Sequence, residues 1–84
     1  MTEAAEIRRY HKVLKSQLPV GRQILAKAKA DPHKWAPMLL RMKQDMGNYL
    51  DYAGTLPTAT QQKLDAMIAD LRAFYAEIVQ ALPH

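Results

Sequence analysis

Cysteine is absent from this chain of 84 residues, so neither a disulfide framework nor a thiolate metal site can be built. Nothing calls for an oxidising compartment, and a cytoplasmic location is the default expectation. Long apolar runs are missing too. Glu3, Glu6, Arg8 and Arg9 interrupt the N-terminus where a signal peptide needs an unbroken apolar core, and no run approaches the roughly 18 residues of a membrane span. No membrane partner is expected. The three glycines, Gly21, Gly47 and Gly54, stand alone, which excludes a glycine-rich phosphate loop.

Catalytic groups are as scarce. Ser16 is the one serine, on the polar side of a helical pattern with no glycine turn to present it, so a nucleophile elbow is not expected. None of His11, His33 and His84 stands three or four helical residues from a carboxylate on the same face, and the Glu-x-x-His pairs of a bundle metal site are lacking. The expectation is a protein that is not an enzyme, with no cofactor, no metal and no small-molecule substrate. At this length a second core could not exclude enough water to offset the chain entropy of ordering it, and residues 1–84 read as a single helical domain.

What the chain does have is helical periodicity. Its punctuation is sparse: Pro32 after Asp31, Gly54 before Thr55-Leu56-Pro57, and Pro83 near the end. Three helical territories lie between these points, and no alternating run of β-branched residues offers a strand. The fold class expected is all-α, a small antiparallel bundle of three main helices with short connections. In the first territory, residues 3 to 30, Ile7, Tyr10, Leu14, Leu18, Gly21, Leu25 and Ala28 keep one phase of about 100° per residue across Pro19. Pro19 falls on the opposite face, so the helix is expected to be kinked or split in line near Pro19 rather than turned through a corner.

The middle territory places Trp35, Leu39, Met42, Met46, Tyr49, Leu50 and Ala53 on one side and ends at Gly54 with Pro57 beyond. Asp31-Pro32 suits a cap and a first helical residue, while Pro37 leaves open a short turn over 32–36 before a main helix. In the last territory Thr58 and Gln61 have the spacing of a capping box. Leu64, Met67, Leu71, Phe74, Ile78 and Ala81 then repeat at threes and fours, widened by Ile68, Tyr75, Val79 and Leu82. The core expected from these stripes is Leu14, Leu18, Leu25, Trp35, Leu39, Met42, Leu64, Leu71, Phe74 and Ile78.

Charge is unevenly shared. Residues 1–44 carry ten basic against three acidic residues, a net of +7, and residues 45–84 carry two against five, a net of −3. The halves can attract within the fold, pair two copies head to tail, or bring the basic half to an acidic partner. Arg8, Lys12, Lys15 and Arg22 align on the first helix away from its apolar stripe. This basic ridge is either a solvated face or a contact for phosphates or an acidic protein.

Two further surfaces stand out. Ala66, Ala69, Ala73 and Ala76 lie opposite the core seam of the last helix, flanked by Gln62 and Gln80 with no charge among them. Small residues let helices approach closely, so this face is a candidate for self-association in a homodimer or for a foreign helix. Met38, Met42 and Met46 read as gap-filling core or, if the bundle is open there, as an adaptable groove for a partner helix. Leu40 points away from the middle stripe and is a further candidate contact.

These features favour a small non-enzymatic interaction protein, an adaptor, inhibitor or regulator that binds another protein with an acidic surface. The alternative is a nucleic-acid-associated protein whose basic N-terminal half contacts backbone phosphates without sequence preference. No aromatic residue interleaves with the ridge, and Pro37 sits where a recognition helix would begin to read bases.

Overall fold

The computed structural model describes residues 2–83, which form four helices and no strand. Three are long, α1 (Glu3–Ala30), α2 (Pro32–Gly54) and α4 (Asp65–Ala81), and α3 (Thr58–Lys63) is a short helix in front of α4. Each long helix packs on the other two. Arg9 meets Tyr52 and Lys27 meets Trp35, so α1 and α2 are antiparallel; Glu3 meets Lys63 and Arg22 meets Glu77, so α1 and α4 run the same way. The architecture is an up-down-up all-α bundle.

Local chemistry accounts for the helix ends. The Thr2 hydroxyl accepts from the Ala5 N–H at 3.3 Å, and Glu3 and Glu6 in the first turn with Lys27 and Lys29 in the last suit the helix dipole. Asp31 alone joins α1 to α2. Its N–H closes α1 on the Lys27 carbonyl, its carboxylate accepts from the Lys34 N–H, and Pro32 takes the first position of α2. Neither internal proline ends a helix: α1 runs unbroken through Pro19 and α2 through Pro37, so the first helix is not split and no separate turn occupies 32–36. Each proline removes one backbone donor, and the carbonyls left over, on Lys15 and His33, belong to exposed residues that water can serve.

The turn after α2 departs from expectation. Pro57, not Thr58, caps α3 and no side chain bonds there; Gln61 turns back instead and donates to the carbonyls of Leu56 at 2.7 Å and Gly54 at 3.3 Å. Gly54 has no positive φ. Rather, α2 closes by tight bonds from the Thr55 and Leu56 N–H groups to the Tyr52 and Ala53 carbonyls, with the Thr55 hydroxyl also donating to Tyr52. The last territory is not one helix either. It breaks at Leu64, whose N–H is shared between the Thr60 and Gln61 carbonyls. The seam beyond is turned so that Ile68, not Met67, is buried with Leu64, Leu71, Phe74 and Ile78.

Of the expected core, Leu25, Leu39, Leu64, Leu71, Phe74 and Ile78 are buried, while Leu14, Leu18, Trp35 and Met42 pack against it half-buried. Tyr10, Val13, Ala28, Met46, Ala53 and Ile68 complete it. The α1 stripe is rotated toward Glu6 and Val13 in its first half because α2 approaches from that side. Further along, Gly21 is required by its neighbour: a Cβ there would lie 2.5 Å from Cζ and 3.0 Å from Cε2 of Phe74. The missing side chain lets the Phe74 ring lie against the α1 backbone.

Candidate functional site

Where α1 begins, α2 ends and α3 passes, polar side chains are drawn inside. Tyr10 is buried and donates to the Tyr49 carbonyl at 2.7 Å, and burial pushes its phenol up to about 12. Glu6 is 4 % exposed; its Oε1 accepts from the Tyr52 hydroxyl at 2.8 Å, and Oε2 is buried with no hydrogen-bond partner among the described residues. The bond to Glu6, then burial, raises the Tyr52 phenol above its ordinary value. Glu3 pairs with Lys63 and accepts from the Thr60 hydroxyl at 3.1 Å; these bonds, Lys63 first, hold its carboxyl below the usual range. The Arg9 guanidinium lies over the rings of Tyr52 and Tyr49, 4.8 and 5.7 Å from their centroids.

From this corner the seam between α1 and α2 stays open to solvent. A polar cleft of about 340 Å³ is lined by Arg9, Gln17, Asp45, Asn48 and Tyr49. Gln17 and Asp45 also border an apolar one of about 250 Å³, walled by Val20, Gly21, Ile24, Met42 and Met46 with Phe74 at its floor. Val20 is 54 % and Met38 41 % exposed. At the far end the Lys27 ammonium sits 5.7 Å from the centre of the Trp35 ring. The three methionines are thus graded: Met46 is core, Met42 packs against it half-buried, and Met38 is exposed.

The residues singled out from the sequence do not form one site. Arg8, Lys12, Lys15 and Arg22 are all exposed, but Arg22 leaves the ridge, bonding Glu77 at 2.9 Å with its guanidinium 5.6 Å from the Phe74 ring centre. The other three form no ion pair among the described residues. Leu40, 55 % exposed, borders a different groove with Lys43, Gly47 and Tyr75 between α2 and α4. Ala66, Ala69, Ala73 and Ala76 are exposed along the outer face of α4. Among the described residues the ion pair joining the basic half to the acidic one in the expected sense is Arg22–Glu77, since the Lys63–Glu3 bridge joins the halves with the signs reversed.

Among the described residues no three His, Asp or Glu side chains gather as a metal site would need, and no helix is long and apolar enough to cross a membrane. His11 and His33 are exposed, and His84 lies outside the described residues. The Ser16 hydroxyl donates to the Lys12 carbonyl at 2.6 Å within its own helix. Sequence reasoning missed Glu6, Arg9, Val20 and Lys27. A signal existed for the last three: Arg9, Ser16, Val20 and Lys27 follow at spacings of seven, four and seven, one stripe beside the core stripe. Comparison of the chain with protein-family models, with curated proteins and with solved structures finds no match.

Proposed function

We propose that the protein is a non-enzymatic interaction module, an adaptor, inhibitor or regulator, that binds another protein with an acidic surface. The observation that carries this reading is the open α1–α2 seam, where Val20, Ile24, Met38 and Met42 stand in solvent contact between the stacked cations Arg9 and Lys27. A small core gains from burying such apolar surface in a complex. Affinity capture from the native extract with mass spectrometry is the test. A protein should be retained after nuclease treatment, and replacing Arg9 and Lys27 by Gln should weaken it at low salt more than at high salt. Recovery of no protein partner overturns the reading.

A second reading has its own observation: Arg8, Lys12 and Lys15 are exposed on one face of α1 without acidic partners, as phosphate contacts require. Nucleic acid binding of this kind would fall steeply with added salt and vanish when Arg8, Lys12 and Lys15 are replaced together by Gln. For the alanine face of α4, pairing of two copies is the proposal, and sedimentation checks it. A dimer should be lost in Ala73→Glu, whereas on a solvated face that change alters stability by only about 0.5 kcal/mol and leaves the mass unchanged.

A further inference from the structure

We infer that the α1–α2 seam is the docking groove for a single amphipathic helix of the partner, about five turns long and acidic at both ends. This rests on the interaction reading above and names the surface and the occupant. The shape comes from α2. Beside its core seam, α2 carries a second one, Trp35, Met38, Met42, Asp45, Tyr49 and Tyr52, spaced three, four, three, four and three. None of these six is buried. A helix with two adjacent seams is patterned to meet neighbours on both, and here Trp35, Met42, Tyr49 and Tyr52 are half-covered against the core and the flank of α1 while Met38 and Asp45 stay exposed. Arg9 in the polar cleft and Ser16 and Val20 in the apolar one line the opposite wall, Lys27 continues their stripe beyond it, Phe74 is the floor, and the methionines can repack around side chains inserted at helical spacing.

The charge comes from the two ends. Arg9 lies on Tyr52 and Tyr49, Lys27 lies over Trp35, and neither belongs to an ion pair among the described residues. Stacking holds each cation near one orientation, so less side-chain freedom is lost when a carboxylate arrives. Arg9 and Lys27 are 18 residues apart, about 27 Å along the axis, which sets the length of the occupant. Among the residues lining the two clefts, the acidic one is Asp45, and it opposes the partner's charge from the middle of the groove. A second copy fits less well. Phe74 of α4 is the floor, so the outer face of α4 points away from the groove, and copies docked through these two surfaces would propagate head to tail without closing.

The test uses the full chain and a synthetic helical peptide of about 18 residues, with Leu at heptad spacing and Glu in its first and last turns, against the same peptide with Lys for Glu. Fluorescence of Trp35, the one tryptophan, reads binding at the Lys27 end. The Glu peptide should bind saturably and about tenfold tighter than the Lys peptide. Val20→Asp, at an exposed position, should weaken it about tenfold with an unchanged thermal melt, and Asp45→Asn should tighten it. Equal binding of the two peptides, or binding indifferent to Val20→Asp, overturns the inference, as does self-association of the wild type that Val20→Asp abolishes. A native partner captured equally by wild type and Val20→Asp removes the groove but leaves the interaction reading standing. Failure to capture any partner removes that reading, and the peptide titration still decides whether the groove takes an acidic helix.

Discussion

At the end of the bundle where α1 starts, the helices are tied by directed bonds: Tyr10 to the Tyr49 carbonyl, Tyr52 to Glu6, Thr60 and Lys63 to Glu3. Past Gly21 such bonds give way to shape. Leu25, Ala28, Leu39, Phe74 and Ile78 fill the interior, and the polar link there, Arg22 to Glu77, is exposed and worth only about 0.2–1 kcal/mol. Directed bonds fix register but depend on protonation, while close packing is indifferent to pH and intolerant of changed volume. The two ends should therefore fail under different insults.

The largest effect belongs to the packed end. Phe74→Ala should destabilise by about 3–5 kcal/mol, read from urea melts, because the ring leaves a cavity against the bare backbone of Gly21. Gly21→Ala comes next, at about 1–3 kcal/mol, since the added methyl drives into a ring that the core holds in place. In the Phe74→Ala background the same change should turn favourable by up to about 1 kcal/mol, the helix-propensity gain of Ala over Gly. Additive losses in that double-mutant cycle would show that shape at this contact is not what holds the end together.

The hydrogen-bonded end answers with smaller numbers and a pH signature. Tyr10→Phe should cost about 0.5–1.5 kcal/mol at neutral pH. The Tyr10 phenol titrates at about 12 in the fold against an ordinary 10, so its contribution is complete below pH 10 and is lost as pH rises through 12. Alkaline unfolding of the variant should accordingly be flatter, and identical pH profiles would remove Tyr10 from the account. Glu3→Gln is the smallest change. Its carboxyl is held below the ordinary 4.5, so its contribution is present above that pH and fades as pH falls through the lowered value. The midpoint should shift at pH 7, and the shift should shrink as pH falls below 4.5; a shift of constant size would mean the Lys63 pair contributes nothing.

The same contrast explains what could be read in advance. The three long helices and most of the packed end are legible because apolar spacing is a local property, and Leu25, Leu39, Leu71, Phe74 and Ile78 fall where periodicity puts them. The hydrogen-bonded end is not. Burial of Glu6 depends on Tyr52, 46 residues away, and the break at Leu64 accompanies ties from Thr60 and Lys63 to Glu3 at the opposite end of the sequence. Of the candidate contacts, Met42 and Met46 do line a groove, but its cations are absent from the ridge read in sequence. Arg9 and Lys27 pass as ordinary solvated charges until Tyr49, Tyr52 and Trp35 are known to lie beneath them.

The connection made by Asp31 alone bears on the order in which the chain folds. Bringing α1 onto α2 closes the shortest loop between any two of the long helices, so it loses the least chain entropy of any step that pairs them. In contrast, seating α4 beside α1 joins residues as far apart as Arg22 and Glu77, a separation of 55. Helical hairpin first, third helix last is the sequence of events this favours. Under it, trimming Ile78 to Val speeds unfolding and leaves the folding rate alone, while shortening Leu39 slows folding itself. Phe74 then meets Gly21 only in the closing step, on a paired α1–α2 surface already in place.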